Sequence, residues 1–145
     1  MINVIDLKTT VLDIRTDFSI TPREKKPGGM QRIDGLTLGY VETAHGFPHN
    51  GEQHPDGDEL LILISGRLRI TADSQETSSD LHPGQACIVP KGEWHKVHVL
   101  EPSTFIFATP GPNGEYRRLS DSEMKAWQAN VASTNQNQEE TLNEQ

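Results

Sequence analysis

The sequence predicts an all-β domain, a sandwich or barrel of short strands, with a short helix at its C-terminal end. Three observations carry this reading. The apolar runs are too short for helices of normal length and are rich in strand formers. Glycine and proline punctuate them, at 12 and 9 of 145 residues, supplying the many turns an all-β domain needs. Two stretches, residues 52–66 and 84–95, share one grammar of glycine, apolar strand, turn and histidine.

Taken in order, residues 2–18 carry Val4, Ile5, Leu7, Val11, Leu12, Ile14 and Phe18, which predict one or two short strands forming an edge or an exchanged arm. Residues 19–29 are rich in Pro, Gly and Lys and predict a loop, its basic residues solvated or forming a rim for an anionic substrate. Residues 36–43 read as a strand and 45–50 as a loop leading to the site. Glu52 and His54 lie two apart on an extended segment, so their side chains share a face. Residues 55–58, Pro-Asp-Gly-Asp, form a turn, and Glu59 opens the strand that returns.

Residues 60–64 are apolar on both faces, where a strand with one wet face would alternate. The outer face is therefore expected to be covered by another sheet or another subunit. Gly66 permits a turn, and residues 67–71 restore alternation. In residues 93–100, alternation that turns His95 inward also turns Val97 and Val99 inward, and leaves Trp94, Lys96 and His98 outward. Residues 103–109 form the next strand, stopped by the Pro-Gly-Pro-Asn-Gly of 110–114. The run Ser-Asp-Ser-Glu at 120–123 is a capping box, followed by Met124, Trp127 and Val131 at helical spacing. After residue 132 almost nothing is apolar, which predicts a disordered tail or a helical extension that a partner would hold. The expected organisation is N-terminal strands and loop over 1–30, a barrel over 31–118, a helix over 119–132 and a polar tail over 133–145.

The net charge of −8, with no Lys/Arg run, argues against a nucleic-acid partner. The single cysteine, Cys87, sits among apolar neighbours and reads as a small core residue in a reducing compartment. The N-terminus lacks the pattern of a secretory signal. No apolar run approaches the roughly 20 residues of a membrane span. Together these predict a cytoplasmic protein.

The two stretches resemble the paired motifs of the cupin superfamily. The first family motif reads G-x5-H-x-H-x3,4-E-x6-G, and here Gly46, His54, Glu59 and Gly66 fall on pattern. The second reads G-x5-P-x-G-x2-H-x3-N, and Gly84, Pro90, Gly92 and His95 fall on pattern. Two positions depart: the first motif's leading histidine falls on Glu52, and the final asparagine falls on Val99. The resemblance covers residues 36–110. It implies a double-stranded β-helix, the jelly-roll barrel of the cupins, and a single such domain.

For chemistry, His54, Glu59 and His95 make two imidazoles and one carboxylate, the composition of the facial triad that leaves open positions on non-haem Fe(II). Glu52 is a fourth ligand, a general base beside the metal, or a solvated carboxylate. The oxygen-rich set favours Fe(II) or Mn(II), with Zn and Ni as alternatives. His49 could replace the missing histidine from a flexible loop, while His45 and His82 read as surface or turn residues. Neither a nucleophile with a base nor a phosphate-binding glycine loop is present. Three functions follow: a metal-dependent enzyme with dioxygenase-like chemistry on a bidentate oxygen ligand, a non-catalytic cupin that binds a small ligand, or a sugar isomerase or epimerase. The last needs basic groups in the pocket for phosphate, with Arg32 the candidate. The two-faced apolar strand and the outward Trp94 predict a homodimer.

Overall fold

The computed structural model describes residues 1–26 and 31–143, and side chains as far as residue 135. The strands are β1 Thr10–Arg15, β2 Ile20–Glu24, β3 Gly35–Thr43, β4 His49–Gln53, β5 Glu59–Ala72, β6 Ser79–Leu81, β7 Ala86–Val89, β8 His95–Pro110 and β9 Glu115–Arg118, followed by α1 Asp121–Asn143. All pairings are antiparallel.

The long strands β5 and β8 run side by side and bend together, folding one sheet onto itself. The first part of β5 and the last part of β8 belong to a half ordered β2-β1-β3-β8-β5-β7. The other parts belong to a half that adds β4, β9 and β6. Between the halves lies the core of Leu61, Leu63, Leu68, Ile70, Leu81, Val89, Val97 and Phe105. The predicted all-β barrel with a C-terminal helix is the fold observed.

Gly66 does not end a strand, as the sequence predicts, but kinks one. Its φ is +89°, and the β5–β8 register shifts repeatedly between Leu63 and Leu68. A side chain at this corner would overlap the Pro102 carbonyl and Ser103 Oγ. The bend moves β5 from one half-sheet to the other without a loop. Likewise the two strands expected over 93–100 and 103–109 are one bent strand, β8.

Residues 20–24 form a strand where the sequence predicts a loop. Pro22 is tolerated because β2 is an edge strand. Arg23 makes a two-pronged ion pair with the buried Asp13 at 2.8 Å, and Thr37 Oγ1 donates to the same carboxylate. Part of the expected loop, residues 27–29, lies outside the described residues. In the N-terminal stretch the strand begins at Thr10, while Met1, Ile2 and Val4 are exposed.

The helix starts as its capping box predicts. Ser120 Oγ accepts from Glu123 N–H, and the Glu123 carboxylate accepts from Ser120 N–H. Met124, Trp127 and Val131 form its half-buried stripe. Trp127 Nε1 donates to the Gly46 carbonyl at 2.7 Å, and Glu123 accepts from Asn50, docking the helix on the segment that leads into β4. The helix continues to Asn143 and so takes in most of the polar stretch after residue 132.

The corner is open to test. Gly66→Ala adds a Cβ at positive φ and in occupied space, whereas Gly84→Ala adds one at φ +86° with nothing near it. Urea denaturation should show Gly84→Ala costing about 1 kcal/mol and Gly66→Ala about 1–3 kcal/mol more. Equal costs would mean the corner is not closely packed.

Candidate metal centre

Glu52 stands on β4, and His54 follows the end of that strand. The turn of 55–58 brings the chain back to Glu59, the first residue of β5. His95 is the first residue of β8, directly opposite Glu52 in the sheet. The turn carrying the second motif is bolted to the first: Gly92 N–H donates to the His54 carbonyl at 2.9 Å, and Lys91 N–H to Asp58 Oδ1 at 2.8 Å. Two segments far apart in sequence thus place four ligand-type side chains at one point. Glu52, His54, Glu59 and His95 each offer an atom within 4.8 Å of the others.

His54 Nε2 lies 2.9 Å from Glu59 Oε2 and 3.6 Å from Glu52 Oε1. His95 Nε2 lies 3.2 Å from Glu59 Oε1 and 3.5 Å from Glu52 Oε1. The His95 ring is fixed by its Nδ1–H, which donates to the Glu93 carbonyl at 3.0 Å and turns Nε2 inward. Glu59 is fixed by Thr109, whose hydroxyl donates to Oε2 at 2.7 Å. His54 differs. Both its ring nitrogens are buried, and neither has a hydrogen-bond partner among the described residues. Its Nε2 is close to two carboxylates and aligned with neither. A buried nitrogen left without a partner calls for an explanation, and a cation shared with Glu52, Glu59 and His95 supplies one. The residues present therefore fit a divalent ion.

The charges agree with this geometry. Burial pushes the His54 and His95 pKa values down, but the adjacent Glu52 and Glu59 carboxylates outweigh it and raise them to about 9 and about 10. Burial pushes Glu52 up, and close contact with the two histidines overrides it, holding the carboxyl at about 2. Glu59 is lowered in the same way. Without an ion the cluster is two imidazolium and two carboxylate groups, which sum to zero. A divalent ion that displaced both protons would leave the sum unchanged.

Glu52, His54 and Glu59 line a cavity of about 480 Å³, and the fully buried His95 stands behind them. Val41, Phe47, Leu61, Val97, Phe105 and Phe107 give the cavity an apolar lining, which His49, Asn113 and Tyr116 interrupt with polar groups. Glu52 is the member most open to it, its side chain 17% exposed against 4% for Glu59. Among the described residues no Lys or Arg lines the cavity. Arg32 instead pairs with Asp56 at 3.2 Å and lines a separate depression.

Alternation assigned the β8 faces correctly. His95 and Val97 are buried, while His98 points the other way and bonds Thr71 Oγ1 at 2.9 Å. His49 lines the cavity from the start of β4, outside the four-residue cluster. His45 packs edge-on against Trp127, and His82 is exposed. Cys87 packs beside the core, and burial raises its thiol pKa, which suits a packing role. Trp94 faces outward but is covered by the Arg117 guanidinium, 4.2 Å from its ring. The sequence reading missed Tyr116 and Thr109. Thr109 could have been found, because alternation from Phe105 turns it inward; Tyr116 sits on a strand whose residues are all exposed and carries no such signal.

A folded-over antiparallel barrel with two histidines and two glutamates converging inside it defines a class, that of a β-barrel with a cation site in its cavity. The family model described as "Cupin domain" matches residues 39–108, just under half of the chain, and supports reading that stretch as a cupin domain. Among solved structures, the chain is similar to a cupin-2 domain containing protein from Shewanella frigidimarina, at 24% identity over 57% of this chain and 74% of that one, TM-score 0.46. It is similar to a cupin superfamily protein from Desulfitobacterium hafniense, at 22% identity over 57% and 71%, TM-score 0.46. It is also similar to the DMSP lyase DddQ from Ruegeria pomeroyi, at 20% identity over 54% of this chain and 39% of that one, TM-score 0.46. No curated protein matches the chain. Among the described residues, no helix is long and apolar enough to cross a membrane.

The raised histidine pKa values give the metal-free protein a definite pH response. Their folded values lie above the ordinary value of about 6.5, so the stability they contribute is complete below that pH. It is lost as pH rises through about 9 and about 10. After chelator treatment, the thermal midpoint should fall as pH is raised from neutral through this window, and His54→Phe should flatten the fall. A midpoint unchanged across the window would contradict the charge pairing.

Proposed function

We propose that this protein is a metal-dependent cupin enzyme that acts on a small molecule bound through two oxygens, with oxygenase-like chemistry. His54, Glu59 and His95 would hold the ion, and Glu52 would serve as a fourth ligand or as the base beside it. The observation that carries this reading is the convergence of four ligand-type atoms within 4.8 Å, among them a buried His54 Nε2 that lies beside a carboxylate without a well-aligned hydrogen bond. Two imidazoles with carboxylate oxygens favour Fe(II) or Mn(II), with Zn and Ni as alternatives. A bound ion would supply Lewis acidity and, in the case of iron, oxygen activation.

The chain's own residues would do the rest. Phe47, Phe105 and Phe107 keep water from one side of the cavity. Glu52, the most exposed of the four, would complete the ion's ligand set or take the proton of a ligand hydroxyl. The cavity wall, without Lys or Arg among the described residues, counts against a sugar-phosphate substrate.

Protein loaded anaerobically with Fe(II) and then exposed to oxygen should consume it in the presence of a diketone, catechol-type diol or hydroxy acid. Glu59→Ala should consume none. Binding of these molecules to the loaded protein without oxygen uptake or product would replace this reading with that of a non-catalytic, ligand-binding cupin.

We also propose that two copies of the chain associate through the outer face of the larger half-sheet. Cross-strand partners there form apolar rows: Leu12, Leu38, Ala108, Leu60 and Ile88 in one, Tyr40, Ile106, Ile62 and Ala86 in the next. Ile88 and Ile64 are 69% and 49% exposed. A self-complementary sheet face of this kind would be covered by a two-fold partner. Light scattering should return a dimer mass, and Ile62→Lys with Ile88→Lys should return a monomer that still holds the ion. A wild-type monomer at high concentration would refute the pairing.

A further inference from the structure

The cavity contains one imidazole that the four-residue cluster leaves unused. His49 opens β4, three residues before Glu52. On a regular strand that odd spacing would put the two side chains on opposite faces. The pairing with β9 shows how this is avoided. His49 lies opposite Arg118 and Glu52 opposite Tyr116, so β4 carries one residue more than β9 over the interval. Gly51, at φ +128°, takes up the extra residue, and a Cβ there would lie 3.1 Å from the His95 carbonyl oxygen. Bulges of this kind re-aim side chains. Here the bulge brings His49 and Glu52 into the same cavity.

The bulge also sets the ring's proton. Gly51 N–H donates to His49 Nδ1 at 3.1 Å. A backbone N–H can only donate, so Nδ1 carries the lone pair and the proton of the neutral ring sits on Nε2. Phe47 stacks against the ring at 6.3 Å, and Tyr116 meets it edge-on at 5.3 Å. Burial pushes the ring's pKa below its ordinary value, in keeping with the neutral form. Among the described residues Nε2 has no hydrogen-bond partner.

We propose that His49 is a ligand-positioning residue, its Nε2–H donating to an oxygen of a small molecule bound at the four-residue cluster, and that this molecule is uncharged or singly charged with a mostly apolar body. The proposal rests on the metal-dependent reading above. The ligand class follows from charge and surface. Two carboxylates already balance a divalent ion, and no Lys or Arg among the described residues lines the cavity to pair a second negative charge. Val41, Phe47, Phe105 and Phe107 offer an apolar wall that suits a ring or an alkyl body.

The test uses Zn(II)-loaded protein, which is redox-silent, and tropolone, which chelates through two oxygens as a monoanion and whose near-ultraviolet spectrum changes on coordination. Wild type should bind the probe, and oxalate, a small dianion, should displace it poorly. His49→Phe keeps the ring packing and removes the donor. It should weaken the probe about tenfold, the scale of one lost hydrogen bond, with zinc content unchanged. His49→Gln, which restores an N–H donor at similar reach, should recover most of the loss. Unchanged affinity in His49→Phe would make the residue packing only, and loss of zinc in that variant would make it a metal ligand; either overturns the proposal. Oxalate binding as tightly as the probe would overturn the ligand class. If the wild type takes up no ion at all, the metal-dependent reading falls with it, whereas a loaded wild type with an indifferent His49→Phe removes this inference alone.

Discussion

Four ionisable side chains gathered inside an apolar barrel, three of them buried, cannot each carry an isolated charge, and this constraint organises the molecule. Burying one unpaired ion costs several kcal/mol, about as much as a domain's whole stability margin. Glu52, His54, Glu59 and His95 meet the constraint by standing within 4.8 Å of one another, with opposite charges in equal number. Holding that geometry requires the rest of the fold. Thr109 and the Glu93 carbonyl orient two of the four groups, and the Lys91 and Gly92 amides tie the second turn to the first. His54 and Glu52 have no such support among the described residues, and at His54, where the ring nitrogens are also buried, the arrangement asks for a cation.

Much of this was legible because it follows from local rules. A strand reverses side-chain direction at every residue, so two-residue spacing put Glu52 and His54 together, and alternation separated His95 from His98. The Pro-Asp-Gly-Asp turn fixed where Glu59 would arrive. The capping box marked the start of the helix to the residue. What local rules could not give is how strands bend. Gly66 reads as a turn and Gly51 carries no signal of its own, yet both are places where a strand continues with a kink or an extra residue. A glycine inside a strand carries that ambiguity, since a turn and a bulge draw on the same conformational freedom. The misreading of residues 20–24 has a similar origin. Proline and lysine signal a loop, yet an edge strand accepts both, and this one is held to its neighbour β1 by backbone pairing and by the ion pair between Arg23 and Asp13.

The same bends link architecture to chemistry. Because β5 and β8 pass from one half-sheet to the other, Glu59 and His95 begin their strands at the same point in space. The bulge at Gly51 then aims His49 into the cavity beside Glu52. The helix closes on this region through Trp127 and Glu123, bracing the segment that leads into β4. Outside the barrel, the apolar face across β1, β3, β5, β7 and β8 is distinct from the cavity, so the proposed surface for association is separate from the proposed site for chemistry.

The measurement that bears most directly on this account is elemental analysis of protein purified without a histidine tag, alongside His54→Ala and His98→Ala. The account requires one equivalent of a divalent ion, iron or manganese before zinc or nickel, abolished in His54→Ala and retained in His98→Ala. No ion in the wild type even after anaerobic Fe(II) loading, or equal loss in both variants, would contradict it.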